Sequence, residues 1–498
     1  MVIIRAVTIY QFIAANDIGR RGREGAKRGE GYNKHSSMKT KYKKTIKLII
    51  PKLAFDHLHF KIEVNPPAFK YDIDIFYSIL NDLSNIKYFN DYTANNEMIP
   101  MASTFLHAKY GSSYNEYMRY LTVNSIIYSS LSYGESNCYH YGIVVNDIIV
   151  ELLQNEGYYT SSYCLQIYNS ELIKVIDNHS IISNSKKVKN IAVVIVNIST
   201  TGKVGRYIIK EYNKEMDRAK HFKPHIRLME RHYKKSLSIR YDDALDFVGK
   251  QYREEMQKIG NDEKLKTMTY NRYTHRIRSI IEISEGKRYL RFSRNKTNGR
   301  VDTNLTNMAT ELRQFIVGYE NMCYLDLCNS QPVLFNIMLN RCSIKGKPSL
   351  GAEIEQYRHS TLSGNWYELL MEIYKTDRDT AKQMWMVIAY SQNTTKLFKR
   401  KFAKRFPEIM KVIEGKKKNN YKAFSIGLQK IESQIFIEEI CKELVSMDII
   451  PYTLHDGLLV PKDKKDVVYN VMANVLSKHL GAVPVISINQ EKVFGKTG

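Results

Sequence analysis

Met322-Cys-Tyr-Leu-Asp326-Leu-Cys-Asn-Ser-Gln331-Pro332-Val-Leu-Phe-Asn-Ile-Met-Leu339 decides how the second half of this chain is read. Its opening apolar run is too short for a helix and predicts a buried strand that ends at Asp326. Gln331-Pro332 then predicts a helix with proline in its first turn, where the missing N–H costs nothing and the fixed φ already suits the helix. An aspartate at such a junction faces a cleft, although taken alone it is more often a helix cap or a turn residue. A second run has the same character. Ile449 to Leu454, His455-Asp456-Gly457 and Leu-Leu-Val-Pro461 predict a β-hairpin whose tight turn carries His455, Asp456 and Gly457. By itself, Asp-Gly there is ordinary turn chemistry.

Between these strands lies Arg378-x3-Lys382-x3-Met386-x3-Tyr390. Residues four apart on a helix drift by only about 40° per step, so the four share one gently spiralling face. Thr376 or Asp377 is placed to cap the start. Two cations one turn apart match adjacent phosphates of a triphosphate, and Met386 and Tyr390 offer a flat apolar seat for a base. A solvated basic face above a core-facing Met and Tyr is the plain alternative. Two strand-borne carboxylates beside this helix favour the chemical reading, because paired carboxylates suit two divalent metal ions in phosphoryl transfer.

In order and spacing these segments resemble the palm and fingers of family A nucleotide polymerases, the class of bacterial DNA polymerase I and the single-subunit phage-type RNA polymerases. The resemblance implies that Asp326 stands for the metal-binding aspartate of motif A. It likewise matches Arg378, Lys382 and Tyr390 to motif B, and His455 and Asp456 to motif C. Thr297-Asn-Gly299-Arg300 is similar to the Thr-Gly-Arg segment that holds primer and template, which makes Arg300 a nucleic-acid contact. The implied site has Asp326 and Asp456 holding two Mg²⁺ (or Mn²⁺), with Arg378 and Lys382 on the triphosphate. Lys382 is also the implied proton donor to pyrophosphate, and Met386, Tyr390 and His455 lie beside the nucleotide. Three departures stand out: Met386 where the family has Phe or Tyr, Ser391 for Gly, and Gly457 for Glu or Ser. Sugar choice is read in that family at the fifth residue after the motif A aspartate. Here that residue is Gln331, long like the glutamate of DNA polymerases, and it favours deoxynucleotides.

The resemblance spans residues 288 to 495, and the rest of the chain is read from composition. A formal charge of +24, from 75 Lys plus Arg against 51 Asp plus Glu in 498 residues, points to a polyanionic partner such as nucleic acid. A hydrophobic content of 43% and 36 tyrosines exclude wholesale disorder. Six scattered cysteines form neither a Cys-x2-Cys pair nor a metal-spaced cluster, which argues against structural zinc or disulfides and for a reducing compartment such as the cytoplasm. No run is apolar enough to span a membrane. The apolar opening Met1–Ala15 is interrupted by Arg5 and lacks a basic leader, so secretion is not expected.

Four regions are expected. Residues 1–49 form a basic arm, 50–212 a mixed α/β domain without a chemical motif, 213–287 a charged helical, thumb-like stretch, and 288–498 the palm and fingers. The fold class is α+β: a right hand, with an antiparallel palm sheet and helical fingers and thumb, behind an unassigned N-terminal domain. After motif B, Lys399, Arg400 and Lys404 are expected to lie along template phosphates, with Gly415-Lys-Lys-Lys-Asn-Asn420 as an exposed loop. Gln429-x2-Glu432-Ser433 is expected to turn polar groups toward the primer. The first 235 residues hold no Asp-x-Glu triplet of the kind an editing exonuclease carries. The expected function is therefore a DNA polymerase without proofreading, suited to a virus, plasmid or mobile element, with DNA template and primer (or RNA) and nucleoside triphosphates as partners. An RNA polymerase or primase-like enzyme on the same scaffold, and a non-catalytic basic replication-initiator protein, are the rivals.

Overall fold

The computed structural model describes residues 45–84, 99–130, 139–143, 193–260, 262–286, 289–342, 348–394 and 396–489. Most of the expected basic arm, and Cys138 and Cys164, lie outside these residues. The chain divides into two compact units, one containing Arg21–Asp217 and Leu245–Ile280, the other containing Arg218–Ala244 and Ile281–Gly498. The charged helical stretch is thus shared between them.

In the first unit the strands are β1 (Thr45–Pro51), β2 (Ile99–Met101), β3 (Ile127–Ser129), β4 (Tyr139–Ile143) and β5 (Val193–Ser199). β1 pairs antiparallel with β5, Ile46 opposite Ile198 and Ile50 opposite Val194, while β2, β4 and β3 form a separate small antiparallel sheet. The Lys52–Val64 and Ile73–Leu83 helices bring Phe55, Leu58, Phe76 and Ile79 into one core with Leu48 and Ile50. Beneath it Arg278 donates to Asn81 Oδ1 at 2.7 Å and Ser84 Oγ at 2.8 Å, so its buried charge has oxygens around it.

The second unit carries the motifs. Its strands are β6 (Phe292–Arg294), β7 (Val301–Thr303), β8 (Met322–Leu327), β9 (Tyr452–Thr453), β10 (Gly457–Pro461) and β11 (Ile486–Asn489). β6 and β7 form a hairpin, and the other four make an antiparallel sheet in the order β11-β8-β10-β9. Along β8 the side chains alternate as a half-buried strand must: Cys323, Leu325 and Leu327 are buried, and Tyr324 and Asp326 face the other way, partly open. The Lys465–Leu480 helix packs on β8 and β10 through an apolar face that includes Val468, Met472 and Leu476. The Asp326 face is therefore the one left for chemistry.

Helices from Ser330 to Ser433 form a second core around Trp366 and Trp385, whose rings meet edge to face at 5.4 Å. Tyr357, Phe402 and Phe406 complete it. Removing either indole would cost about 3–5 kcal/mol. The Arg378–Tyr390 helix is anchored there by Trp385 and Ile388. Its start is fixed by Asp377, whose carboxylate accepts from Thr380 N at 2.9 Å as the sequence predicted.

Candidate active site

The strand-to-helix junction forms as expected, and Asp326 lies within β8, one residue before its end. Pro332 sits in the first turn of the Ser330–Leu339 helix. The second expected hairpin also forms: Leu458 faces Thr453, and Leu454 N donates to Gly457 O at 2.9 Å. His455 takes φ +66°, a left-handed conformation that a non-glycine residue holds at some cost and that histidine tolerates better than most.

The register between the strands creates the site. Gly457 lies opposite Asp326 across the β8–β10 ladder, and Leu327 N donates to Asp456 O at 3.3 Å. Asp326 and Asp456 are thereby cross-strand neighbours at one end of the sheet. Burial, and then the charges of both carboxylates, push the Tyr324 phenol far above its ordinary value. Tyr324 thus stays a neutral donor, giving its proton to Asp326 Oδ1 at 3.1 Å. Its ring also explains Gly457. A Cβ on Gly457 would lie 2.2 Å from the Tyr324 hydroxyl, so no side chain fits where the family pattern has one.

Burial raises the Asp456 carboxyl, while the Arg300 guanidinium and Ser330, which faces it, favour its charged form. Arg300, expected to contact primer or template, lies inside the unit rather than on its surface. It is buried, and its Nη2 donates to Glu432 Oε2 at 2.6 Å. The reason is the turn that carries it. Gly299, at φ +75°, packs so closely on Ser433 that a Cβ would come within 2.9 Å of Ser433 Oγ, and Ser433 donates to the Gly299 carbonyl. Asn298 donates to Gln429 at 2.7 Å. Gln429, Glu432 and Ser433, expected to turn polar groups toward the primer, each bond to this turn or to the Arg300 it carries.

Gln331 joins the same network, its Nε2 donating to Glu432 Oε2 at 2.6 Å. Arg313, near Asp326, supplies a second positive charge, lowered from its ordinary value by burial.

The cationic stripe forms on an exposed helix face. Arg378 pairs with Glu368, and Lys382 lies 3.8 Å from Asp379, both cations about half exposed. Tyr367 lies beneath them, its ring centre 5.6 Å from the Arg378 guanidinium carbon and 5.9 Å from Lys382 Nζ. The Tyr367 phenol is raised chiefly by burial, and then by the charge of Asp456. Tyr367 therefore packs under the stripe while feeling the charge of Asp456. Met386 is half-buried along the same face, whereas Tyr390 is buried in the helical core.

On the next helix Arg400 and Lys404 are exposed as expected, but Lys399 turns inward and donates to the Gln392 carbonyl, its pKa lowered to about 8 by burial. The expected loop at Gly415 is instead the end of the Pro407–Lys417 helix. Lys417 is buried there and donates to the carbonyls of Ile388 and Ser391.

Sequence reading missed Tyr324, Tyr367 and Arg313 as site residues. Tyr324 carried a signal, because residues two apart on a strand share a face with the residue between them excluded. Nothing local marked Tyr367 or Arg313.

No family model matches the chain, and no curated protein matches it. Among solved structures it is similar to the POL domain of Pol1 from M. smegmatis in complex with DNA primer-template and dNTP, at a TM-score of 0.38 and 10% identity, over 57% of this chain and 72% of that one. That likeness is distant and leaves the function to be argued from the site.

Proposed function

We propose that this chain is a template-directed nucleotidyltransferase, a DNA polymerase of right-hand architecture that lacks an editing site. The observation that carries the reading is the β8–β10 register, which pairs Gly457 with Asp326 and so brings the neighbouring Asp456 to the same end of β8, where both carboxylates act on the Tyr324 phenol. Among the described residues no group of three or more His, Cys, Asp or Glu is placed to hold a metal. Magnesium suits such a sparse set, since it is commonly bound by one or two carboxylates and completes its shell with water and substrate phosphates. Asp326 and Asp456 would hold two such ions, which would activate the attacking hydroxyl and steady the leaving pyrophosphate.

The chain's own groups do the rest. Arg378 and Lys382 bind the triphosphate, and Lys382 gives a proton to the departing pyrophosphate. Tyr367 keeps both cations over the site, and Met386 seats the base. Arg400 and Lys404 take template phosphates. Tyr324 holds Asp326 in one orientation. Gln331, in the first helical turn after Asp326, is read as the residue that meets the nucleotide's sugar.

Primer extension on DNA and RNA templates, with deoxy- or ribonucleotides, tests this. The expected result is Mg²⁺-dependent deoxynucleotide incorporation that Asp326→Asn and Asp456→Asn each abolish. Preference for ribonucleotides would make it an RNA polymerase. Salt-sensitive nucleic-acid binding without incorporation on any template would overturn catalysis altogether.

A further inference from the structure

Glu432 has no role in the chemistry proposed above, yet it is among the most deeply buried polar groups of the unit at 1% exposure. A carboxylate so placed is costly unless its oxygens are satisfied. Only one of them is. Oε2 accepts from both Arg300 Nη2 and Gln331 Nε2, each at 2.6 Å, while Oε1 is buried without a hydrogen-bond partner among the described residues. Gln331 shows the matching asymmetry: its Nε2 is committed to Glu432, and its Oε1 is buried without such a partner.

The geometry fixes which end of the Gln331 amide faces which way. An oxygen already accepting from a guanidinium and an amide has no proton of its own to offer; were Glu432 protonated, the proton would sit on Oε1. In either charge state Oε2 is an acceptor, so Gln331 must turn its NH₂ to it and its carbonyl away. A free glutamine on a first helical turn samples several rotamers and both amide orientations. Here two of its torsions end in a charge-assisted bond to a group that Arg300 holds in turn, and Arg300 sits on a turn clamped by Asn298–Gln429 and Gly299–Ser433.

We infer that Glu432 is a positioning residue that locks Gln331 in one orientation, so that sugar selection at this site is set by the Glu432–Gln331 pair rather than by the length of Gln331 alone. This rests on the polymerase reading of the site. A locked side chain cannot swing aside for a 2′-hydroxyl, whereas a released one can. The consequence is a loss of discrimination with no loss of the aspartates, the cations or the template contacts. The partnership also has a polarity. Exchanging the two residues leaves one carboxylate and one amide facing each other, with the negative charge still near Arg300.

The test compares wild type, Glu432→Gln, Gln331→Met and the exchange Gln331→Glu with Glu432→Gln. Two readouts serve: the ratio of deoxy- to ribonucleotide incorporation, and equilibrium titration of both nucleotides onto a dideoxy-terminated primer–template, which needs no turnover. The expected result is that each single variant lowers both ratios about tenfold, chiefly by admitting ribonucleotides, and that the exchange restores at least half of the lost discrimination. Gln331→Met keeps Glu432 in place, so it carries the test should Glu432→Gln fail to fold. Single variants that slow both sugars equally, with the ratio unchanged, would show that Glu432 only supports the fold and would overturn the lock while leaving the polymerase reading intact. Wild type that incorporates neither sugar would overturn both.

Discussion

Asp456→Asn separates a turn residue from a functional carboxylate by the sign of its effect on stability. Asn-Gly suits a tight hairpin turn as well as Asp-Gly does, so backbone chemistry predicts no loss. Charge predicts a gain. Asp456 lies beside Asp326 across the ladder, and burial raises its carboxyl in spite of Arg300 and Ser330. Two carboxylates on adjacent strands, roughly 6 Å apart, repel by about 3 kcal/mol at an effective dielectric of 20. Arg300 recovers part of this, which leaves an expected gain of about 1–2 kcal/mol for the neutral variant, or about 2–8 °C in Tm for a unit of this size. The same substitution is expected to abolish primer extension. Denaturation and extension on one preparation give both numbers, and a Mg²⁺ titration adds a third: the wild-type Tm is expected to climb with the ion by mass action while the variant's stays flat. A variant that extends primers normally, or that loses more than about 1 kcal/mol, would refute the reasoning, because Asp456 would then be a structural residue of the turn.

Other substitutions read different parts of the site. Lys382→Ala, on an exposed face, is expected to leave stability within about 0.5 kcal/mol while lowering kcat/KM for incorporation about 100-fold, as measured in single-nucleotide kinetics. Gly457→Ala drives a Cβ to 2.2 Å from the Tyr324 hydroxyl, so the Tyr324 ring must shift; urea denaturation is expected to show a loss of about 1–3 kcal/mol, the usual cost of overpacking. Lys417 is held at about 7 by burial, against 10.5 for the ordinary side chain. Between those values the unfolded chain keeps a proton that the folded chain has lost, so stability is expected to rise with pH from about 7 to 10. Chemical denaturation across that range should show this rise in wild type and a flatter one in Lys417→Met.

The two aspartate-bearing strands were legible in the sequence because each rests on local physics: a short apolar run, a proline that opens a helix, an Asp-Gly turn. The same holds for the Asp377 cap and the exposed Arg378 and Lys382. What the sequence hid was long-range. Arg300 and Glu432 are 132 residues apart in the chain and meet only because the Asn295–Arg300 turn docks on the Gln429–Ser433 face. Arg300 reads as a surface cation until that docking is known. Lys399 and Lys417 mislead for a related reason. A lysine in a basic run is normally solvated, yet these two reach the end of the Arg378–Tyr390 helix, where carbonyls without helical partners accept their protons.

The charges at the site also bear on why so much of it is buried. Asp326, Asp456 and Glu432 bring three carboxylates to one region, and Arg300 and Arg313 bring two guanidinium groups. Arg300 is engaged twice over, bonded to Glu432 and favouring the charged form of Asp456. Glu432 thus holds the guanidinium near Asp456, where its charge opposes the burial that raises that carboxyl. The chain buries a third carboxylate with one oxygen unsatisfied, a cost in stability of the kind that gathers at functional sites.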